Sequence, residues 1–380
     1  MNYRKEGNRE SLTNKKRVVV KVGTSSLTYA NGKMNYRFMD HLVRQLSDLK
    51  NRGIEVILVT SGAIGVGLPV LGFKEKPSYL PYKQAAAAVG QGILMNMYEH
   101  LFHEYGHTVA QLLFTKGDAV NSKRYFHMRG TLQSLLELGA VPIVNENDAV
   151  TADEIKIGDN DTLSAIVASI AEADLLIILS DIQGLYDKNP KNHPDATLIR
   201  EIPKFSRELF SIAGGAGTTR GTGGMYTKIQ AAEICVHSGI DMIIAQSNVP
   251  DVLEHIMDGE EIGTLFRGEN VHPQLKKRDM IIGTAVKGKI FVDEGCKEAL
   301  LEKGSSLLPV GIVGSEGNFN EGDTISIYYH DQELARGITH YSQEDINLIQ
   351  GLRTEKLTDA LGFVAPYDTV VHRDNLLIMK

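Results

Sequence analysis

The sequence predicts an α/β domain around a largely parallel sheet, followed by a small, mainly β domain. Three observations carry that expectation. Short apolar runs rich in β-branched residues alternate with amphipathic helical stretches from residue 17 to about 265. The runs end in small or polar residues: Gly23-Thr24, Ser61-Gly62, Asn145–Asp148 and Ser180-Asp181. Beyond Met280 the alternation weakens into short strands between Gly-bearing turns. Strands of a parallel sheet are buried on both faces, which is why they read as unbroken apolar runs. Ligands of such sheets bind outside the carboxyl ends of the strands. Polar residues collected on that one edge argue for an enzyme.

The bulk numbers bound the reading. At 380 residues the chain suits two domains. Hydrophobic residues make up 42% and charged residues 23%, enough for a real core. The formal net charge of −7 argues against nucleic acid as the main ligand. Cys235 and Cys296 form no CxxC pair, which fits a reducing compartment. Residues 1–16 form a polar, mixed-charge arm without the apolar stretch of a signal peptide, and no run is long enough to span a membrane. A cytoplasmic location is expected.

In chain order, Arg17–Val22 is a buried strand and about Asn35–Arg52 a helix with Phe38, Leu42, Leu46 and Leu49 on one face, closed by Gly53. Ile54–Val59 is a strand running into a glycine-bearing segment through Gly67. An Ala-rich helix covers about Gln84–Tyr105, Thr108–Phe114 is strand-like, and Lys123–Leu138 is helical. Val141–Val144 is a strand leading into Asn145-Glu-Asn-Asp148. After an acidic loop come a helix at Thr162–Ala171 and a strand at Asp174–Leu179. Tyr226–Ser238 is a helix and Ile240–Ala245 a strand. The expected boundaries are an arm at 1–16, a first domain at 17–270, a linker at 271–282 and a second domain at 283–380. In the last, short strands fall at Lys289–Val292, Thr324–Tyr328 and Leu334–Thr339.

Gly214–Lys228 contains six glycines and runs straight into a helix. Glycines let backbone N–H groups turn toward an anion, and a helix N-terminus adds donors and positive dipole. Lys228 then reaches a phosphate from the first helical turn. The segment is not a Walker A loop, because no Gly-Lys-Ser or Gly-Lys-Thr follows the required gap. The bland alternative is a surface loop before an ordinary helix.

Lys21 stands inside an apolar strand, where an ammonium needs either an anionic ligand or a route to the edge. With Lys228 it supplies two cations from opposite ends of the domain, the arrangement phosphoryl transfer asks for. Asn145–Asp148 and Gly158-Asp159-Asn160-Asp161 add carboxylates and amides on the same edge. They suit a Mg²⁺ site, recognition of a substrate ammonium, or the fixing of the two lysines; singly, each also suits a solvated turn. Glu99, His100, His103, Glu104 and His107 imitate a metal site, but their order matches neither usual zinc motif and a wet helix end accounts for them. No protein ligand is assigned to a metal.

Lys21-Val-Gly-Thr-Ser25, Thr60-Ser-Gly-Ala63, Asn145–Asp148, Gly158–Asp161, Ser180–Tyr186 and Gly221–Lys228, in this order and spacing, resemble the amino acid kinase family over about residues 17–265. Val292–Gly295, Ser305–Gly311, Gly322-Asp323 and Ala335–Gly337 resemble the PUA domain that many members carry. The resemblance implies a three-layer αβα sandwich with a C-terminal PUA-like domain. It further implies the members that use ATP and Mg²⁺ to phosphorylate the γ-carboxylate of L-glutamate, the first step of proline synthesis. In that reading Lys21 and Lys228 neutralise the transferring phosphoryl group and Asp161 orients them. Ser61, Gly62, Asp148, Asp159 and Asn160 hold glutamate. Gly23, Thr24, Ser180, Asp181, Thr222, Gly223, Gly224, Met225, Tyr226 and Thr227 contact the nucleotide with Lys21 and Lys228. Ser180 stands where the family often has Thr, and both offer a hydroxyl. The family also implies a homo-oligomer (dimer or tetramer), inhibition by proline at the glutamate site, and glutamyl phosphate reductase as a downstream partner.

The residue inventory agrees with this chemistry. A free γ-carboxylate has a pKa of about 4.3, so the nucleophile is ionised at neutral pH and no general base is needed. The competing expectation is a sibling kinase acting on N-acetylglutamate, aspartate, carbamate or UMP; Asp148 favours a substrate with a free ammonium. RNA binding through the second domain is disfavoured, since residues 285–380 hold nine Lys and Arg against fifteen Asp and Glu.

Overall fold

A computed structural model describes residues 9–29, 32–115, 118, 122–150, 160–190, 192–212, 224–269 and 285–379. They divide into two compact units, one from Met1–Val120 and His127–Asn270, the other from Asn121–Phe126 and Val271–Lys380.

In the first unit the elements run β1 (Arg17–Val22), α1 (Thr24–Leu27), α2 (Tyr36–Asn51), β2 (Glu55–Val59), α3 (Ala63–Val70), α4 (Leu80–Glu104) and β3 (Val109–Phe114). They continue α5 (Ser122–Glu137, in this unit from His127 on), β4 (Val141–Glu146), α6 (Asn160–Ile170), β5 (Leu175–Ser180), β6 (Glu201–Ile202), α7 (Leu209–Ile212), α8 (Met225–His237), β7 (Asp241–Gln246), α9 (Val252–Met257) and β8 (Thr264–Phe266). The eight strands form one sheet in the order β3-β4-β2-β1-β5-β7-β8-β6, parallel except where β7 meets β8. Val18, Val19 and Val20 of β1 are wholly buried, as a central strand covered on both faces requires. From β1 the chain moves to one flank through β2, and after α6 it crosses to the other through β5. This reversal of strand order opens a crevice at the carboxyl ends of β1 and β5, where doubly wound sheets take their ligands.

Local chemistry explains the helix ends. The Asn35 side chain accepts from the Phe38 N–H at 3.2 Å and caps α2. At its other end Gly53 adopts φ +83°, and the N–H groups of Gly53 and Ile54 close on the carbonyls of Lys50 and Leu49 in a Schellman motif. Leu42, Leu46 and Leu49 are buried as the periodicity predicts, with Phe38 half-buried beside them.

Three features depart from the expected elements. The glycine-bearing segment after the second expected strand, to which the sequence assigns no element, forms α3 over residues 63–70, with Gly65, Gly67 and Pro69 inside it. Close packing holds this helix where propensity would not: a Cβ on Gly67 would fall 1.9 Å from the Ala86 carbonyl oxygen, and one on Gly90 would fall 1.8 Å from that of Ala63. Helix α4 begins at Leu80, four residues before the expected Gln84, because Pro81 is tolerated in a first turn. The edge strand β6 and its neighbour β8 are too short to show a period. The described end of the polar arm is tucked in as well. Leu12 is wholly buried, and the Arg9 guanidinium donates to the carbonyls of Arg200 and Ile262 at 2.7 and 2.6 Å.

The second unit is a five-stranded sheet, ordered β10-β9-β11-β12-β13, from β9 (Val286–Val292), β10 (Ile312–Gly317), β11 (Thr324–Tyr329), β12 (Gln332–Ile338) and β13 (Leu376–Ile378). Among the described residues only β9 and β11 pair in parallel. Its core gathers Ile290, Val292, Ile325, Ile327, Leu334 and Tyr341, and helices lie at Glu294–Lys303, Gln343–Ile349 and Leu357–Leu361.

Candidate active site

Every polar strand end noted in the sequence that falls on described residues lies on one rim of the first sheet, at the carboxyl ends of β1, β2, β4 and β5. Lys21 closes β1. The strand is so well covered that the lysine is only 3% exposed. Asp161 and Lys228 enter from two helix N-termini. Asp161 is the second residue of α6 and Lys228 the fourth of α8, and both helices aim positive dipole ends at the rim.

The three meet. Lys21 Nζ donates to Asp161 Oδ1 at 2.6 Å, and Lys228 Nζ donates to Asp161 Oδ2 at 3.0 Å. The Thr227 hydroxyl lies 2.9 Å from the same Oδ2 and 2.8 Å from the Gly224 carbonyl oxygen. All three charged side chains are buried. Burial raises the Asp161 pKa, but the charges of Lys21 and Lys228 and their hydrogen bonds outweigh it and hold the carboxyl below its ordinary value. One carboxylate thus fixes two ammonium groups that start 207 positions apart in the chain. Two buried cations on one rim form a site for an anion with distributed charge, such as a phosphoryl group.

A second set of residues adjoins this centre through Asn160, the neighbour of Asp161. Its Nδ2 donates to Ser61 Oγ at 2.9 Å, to Asn145 Oδ1 at 2.8 Å, and to the Thr60 carbonyl. Thr60 is held in turn by Tyr98, whose hydroxyl lies 2.8 Å from Thr60 Oγ1. Gly62, at φ +91°, makes the sharp exit from β2 into α3 that a residue with a Cβ would resist, and it stands against Thr24 of α1. Beside this network lies a pocket of about 330 Å³, lined by Ala63, Ala87, Gln91, Gln111, Glu146 and Asp148 among others. Its volume suits a small polar metabolite.

The other expected residues are distributed as follows. Val22 pairs with Leu179, the last pair of β1 and β5, so Gly23 and Ser180 are the next residues on the two chains. Ser180 is buried and its hydroxyl donates to Asp181 Oδ1 at 3.1 Å, while Asp181 and Thr24 are exposed. Gly224 precedes α8 as its N-cap, Met225 is half-buried, and Tyr226 is exposed with its ring 5.1 Å from that of Phe210. Asp148 lines the pocket with Gln91, apart from the Lys21–Asp161–Lys228 contacts. Asp159, Thr222 and Gly223 lie outside the described residues. Gln91 and Tyr98 escaped sequence reasoning, because a Gln and a Tyr within an apolar helix carry no motif; their only signal is polarity on the face of α4 that holds Ala87 and Leu94.

The chain belongs to the amino acid kinase family, whose profile matches residues 16–246, and the profile of the PUA domain matches residues 288–361. The fold is accordingly the amino acid kinase fold with a separate, mainly β C-terminal domain. Among curated relatives, the chain is 52% identical over 365 residues to a protein named glutamate 5-kinase from Thermoanaerobacter sp. (strain X514), covering 96% of this chain and 98% of that one. It is 47% identical to the glutamate 5-kinase of Moorella thermoacetica over 98% of both chains. The glutamate 5-kinase of Methanococcoides burtonii is 43% identical over 98% of this chain and 99% of its own.

Proposed function

We propose that this protein transfers the γ-phosphoryl group of ATP to the γ-carboxylate of L-glutamate, giving ADP and L-glutamyl 5-phosphate at the entry to proline biosynthesis. The observation that carries the reading is the pair of buried lysines on one carboxylate at the switch point, joined through Asn160 to a small pocket that presents Asp148. The relatives named glutamate 5-kinase, alike over nearly the whole chain, supply the substrate.

The roles follow from position. A γ-carboxylate oxygen attacks the terminal phosphorus, and the bond from that phosphorus to the bridging oxygen breaks with its electrons leaving on ADP. The nucleophile is already an anion, so no proton moves and no base is required. What opposes the step is repulsion between a carboxylate and a triphosphate. Lys21 and Lys228 oppose that repulsion, and removing one such group typically costs 10²–10³ in rate. Asp161 keeps both lysines at a fixed spacing. Ser61, Gly62, Asp148 and Asn160 bind glutamate, Asp148 taking its ammonium, and Asp159 belongs to the same expectation. The nucleotide lies along Gly23, Thr24, Ser180, Asp181 and the α8 N-terminus at Gly224–Lys228, with Thr222 and Gly223 preceding it.

Among the described residues no group of three or more His, Cys, Asp or Glu is placed to hold a metal ion, and Asp161 is engaged by two lysines. Mg²⁺ would accompany ATP as the counter-ion of its phosphates and would add to the charge that Lys21 and Lys228 supply. Proline keeps the α-carboxylate and ammonium of glutamate but lacks the γ-carboxylate, so it competes for the pocket without reacting. A homo-oligomer and delivery of the labile acyl phosphate to glutamyl phosphate reductase complete the proposal. No described helix is long and apolar enough to cross a membrane, and the proposed setting is the cytoplasm.

The test is a panel of acids with ATP and hydroxylamine, which traps an acyl phosphate as a hydroxamate. Glutamate is expected to give the signal. A signal from N-acetylglutamate or aspartate alone would refute the substrate assignment.

A further inference from the structure

The pocket lining includes a buried amide whose donor the proposed roles leave unused. Gln91 projects from α4, is 92% buried, and lines the cavity with Glu146 and Asp148. Its Oε1 accepts from Asn145 Nδ2 at 2.8 Å, while its Nε2 has no hydrogen-bond partner among the described residues.

The orientation of that amide is fixed by its neighbours. Asn145 Oδ1 accepts the backbone N–H of Glu146 at 2.9 Å, which an amide nitrogen could not do. Asn145 must therefore turn its Nδ2 toward Gln91, and Gln91 must answer with its oxygen. Asn160 agrees, because its Nδ2 donates to the Thr60 carbonyl and to the same Asn145 Oδ1. Flipping Gln91 would set two donors face to face. Its Nε2 is thus fixed as a buried donor, without an acceptor among the described residues, on a side chain that lines the pocket, and such a donor is costly unless a ligand satisfies it.

We propose that Gln91 is a specificity residue for the acceptor substrate, its Nε2 donating to the α-carboxylate of the bound amino acid. This rests on the glutamate reading above. The pocket then offers complementary groups to the two charges on the α-carbon, a carboxylate (Asp148) for the ammonium and an amide donor (Gln91) for the carboxylate. The γ-carboxylate is left to extend toward Lys21 and Lys228. The Asn145–Asn160 chain links Gln91 to the residue beside Asp161, so the same network that seats the α-end also sets its distance from the phosphoryl centre.

The experiment compares glutamate with isoglutamine, whose α-carboxylate is a carboxamide and whose γ-carboxylate is intact, by the hydroxamate assay on the full-length wild type, Gln91→Glu and Gln91→Met. Gln91→Glu keeps the oxygen that Asn145 needs and replaces the donor; Gln91→Met removes both. The wild type is expected to prefer glutamate in kcat/KM. Each variant is expected to raise the KM for glutamate about 10- to 100-fold, to leave the KM for ATP within about twofold, and to narrow the preference over isoglutamine at least tenfold, where a tenfold change is about 1.4 kcal/mol. An unchanged glutamate KM, or an undiminished preference in both variants, overturns the proposal and leaves Gln91 a support for Asn145 with a water on its donor. Should Gln91→Glu fail to fold, Gln91→Met decides by the same readings, and a wild type indifferent between the two acids overturns it without any variant. A wild type that makes no hydroxamate from glutamate refutes the function reading itself and takes this inference with it.

Discussion

Asp161 carries more of the account than either lysine. Its carboxylate is shared by Lys21 and Lys228, so losing its charge leaves two ammonium groups buried together. Asp161→Asn should therefore lower stability by about 3–5 kcal/mol, the usual cost of breaking a buried pair, and should abolish turnover; chemical denaturation and the hydroxamate assay would measure both. The pH dependence has a definite sign. A carboxyl whose folded pKa is depressed contributes stability that is fully present above its unfolded value, about 3.9, and is lost as pH falls through the lower folded value. The component that Asp161 adds to an acid titration should thus be confined below about pH 4. It lies beneath the loss that buried His340, with its pKa lowered to about 4, contributes between about pH 6.5 and 4, and Asp161→Asn should lack only the Asp161 component. The lysines were legible in the sequence because a charge inside an apolar strand and a charge after a glycine run both demand reasons. Gln91 was not, because a buried glutamine differs from a surface one only in its surroundings, and those exist only in the fold.

At the scale of elements, the site depends on how closely α3 and α4 approach. Gly67 and Gly90 let the two backbones touch, and that contact seats Ala63 and Gln91 on the pocket wall. Gly90→Ala would force a methyl into the Ala63 carbonyl. The expected outcome is a loss of about 1–3 kcal/mol in stability and a raised KM for glutamate with little change for ATP, read by thermal melts and steady-state kinetics. The alternation of strands and helices, and the strand ends that form the rim, were readable because parallel strands leave long apolar runs. Helix α3 was hidden because its glycines and proline argue locally for a loop, and only packing against α4 overrides them. Helix α4 was readable in its body but not at its start, since Leu80 to Lys83 carry no period of their own.

For the whole molecule, the two described cores share no residue: one is organised around β1 and β5, the other around β9 and β11. A chain ending near Arg278 should keep the first core and phosphorylate glutamate; a folded but inactive truncation would assign the second unit a part in the reaction. That two units exist was legible from the change of pattern beyond Met280, whereas the β10 and β13 pairings needed long-range contacts that no local signal records. If two lysines brought together by Asp161 carry the phosphoryl transfer, Lys228→Ala should expose it. Asp161 retains Lys21 in that variant, so the fold is not left with a lone buried carboxylate. Measured as glutamate-dependent hydroxamate formation on protein with an unchanged melting temperature, kcat should fall by about 10²–10³; turnover within about threefold of wild type would contradict the account.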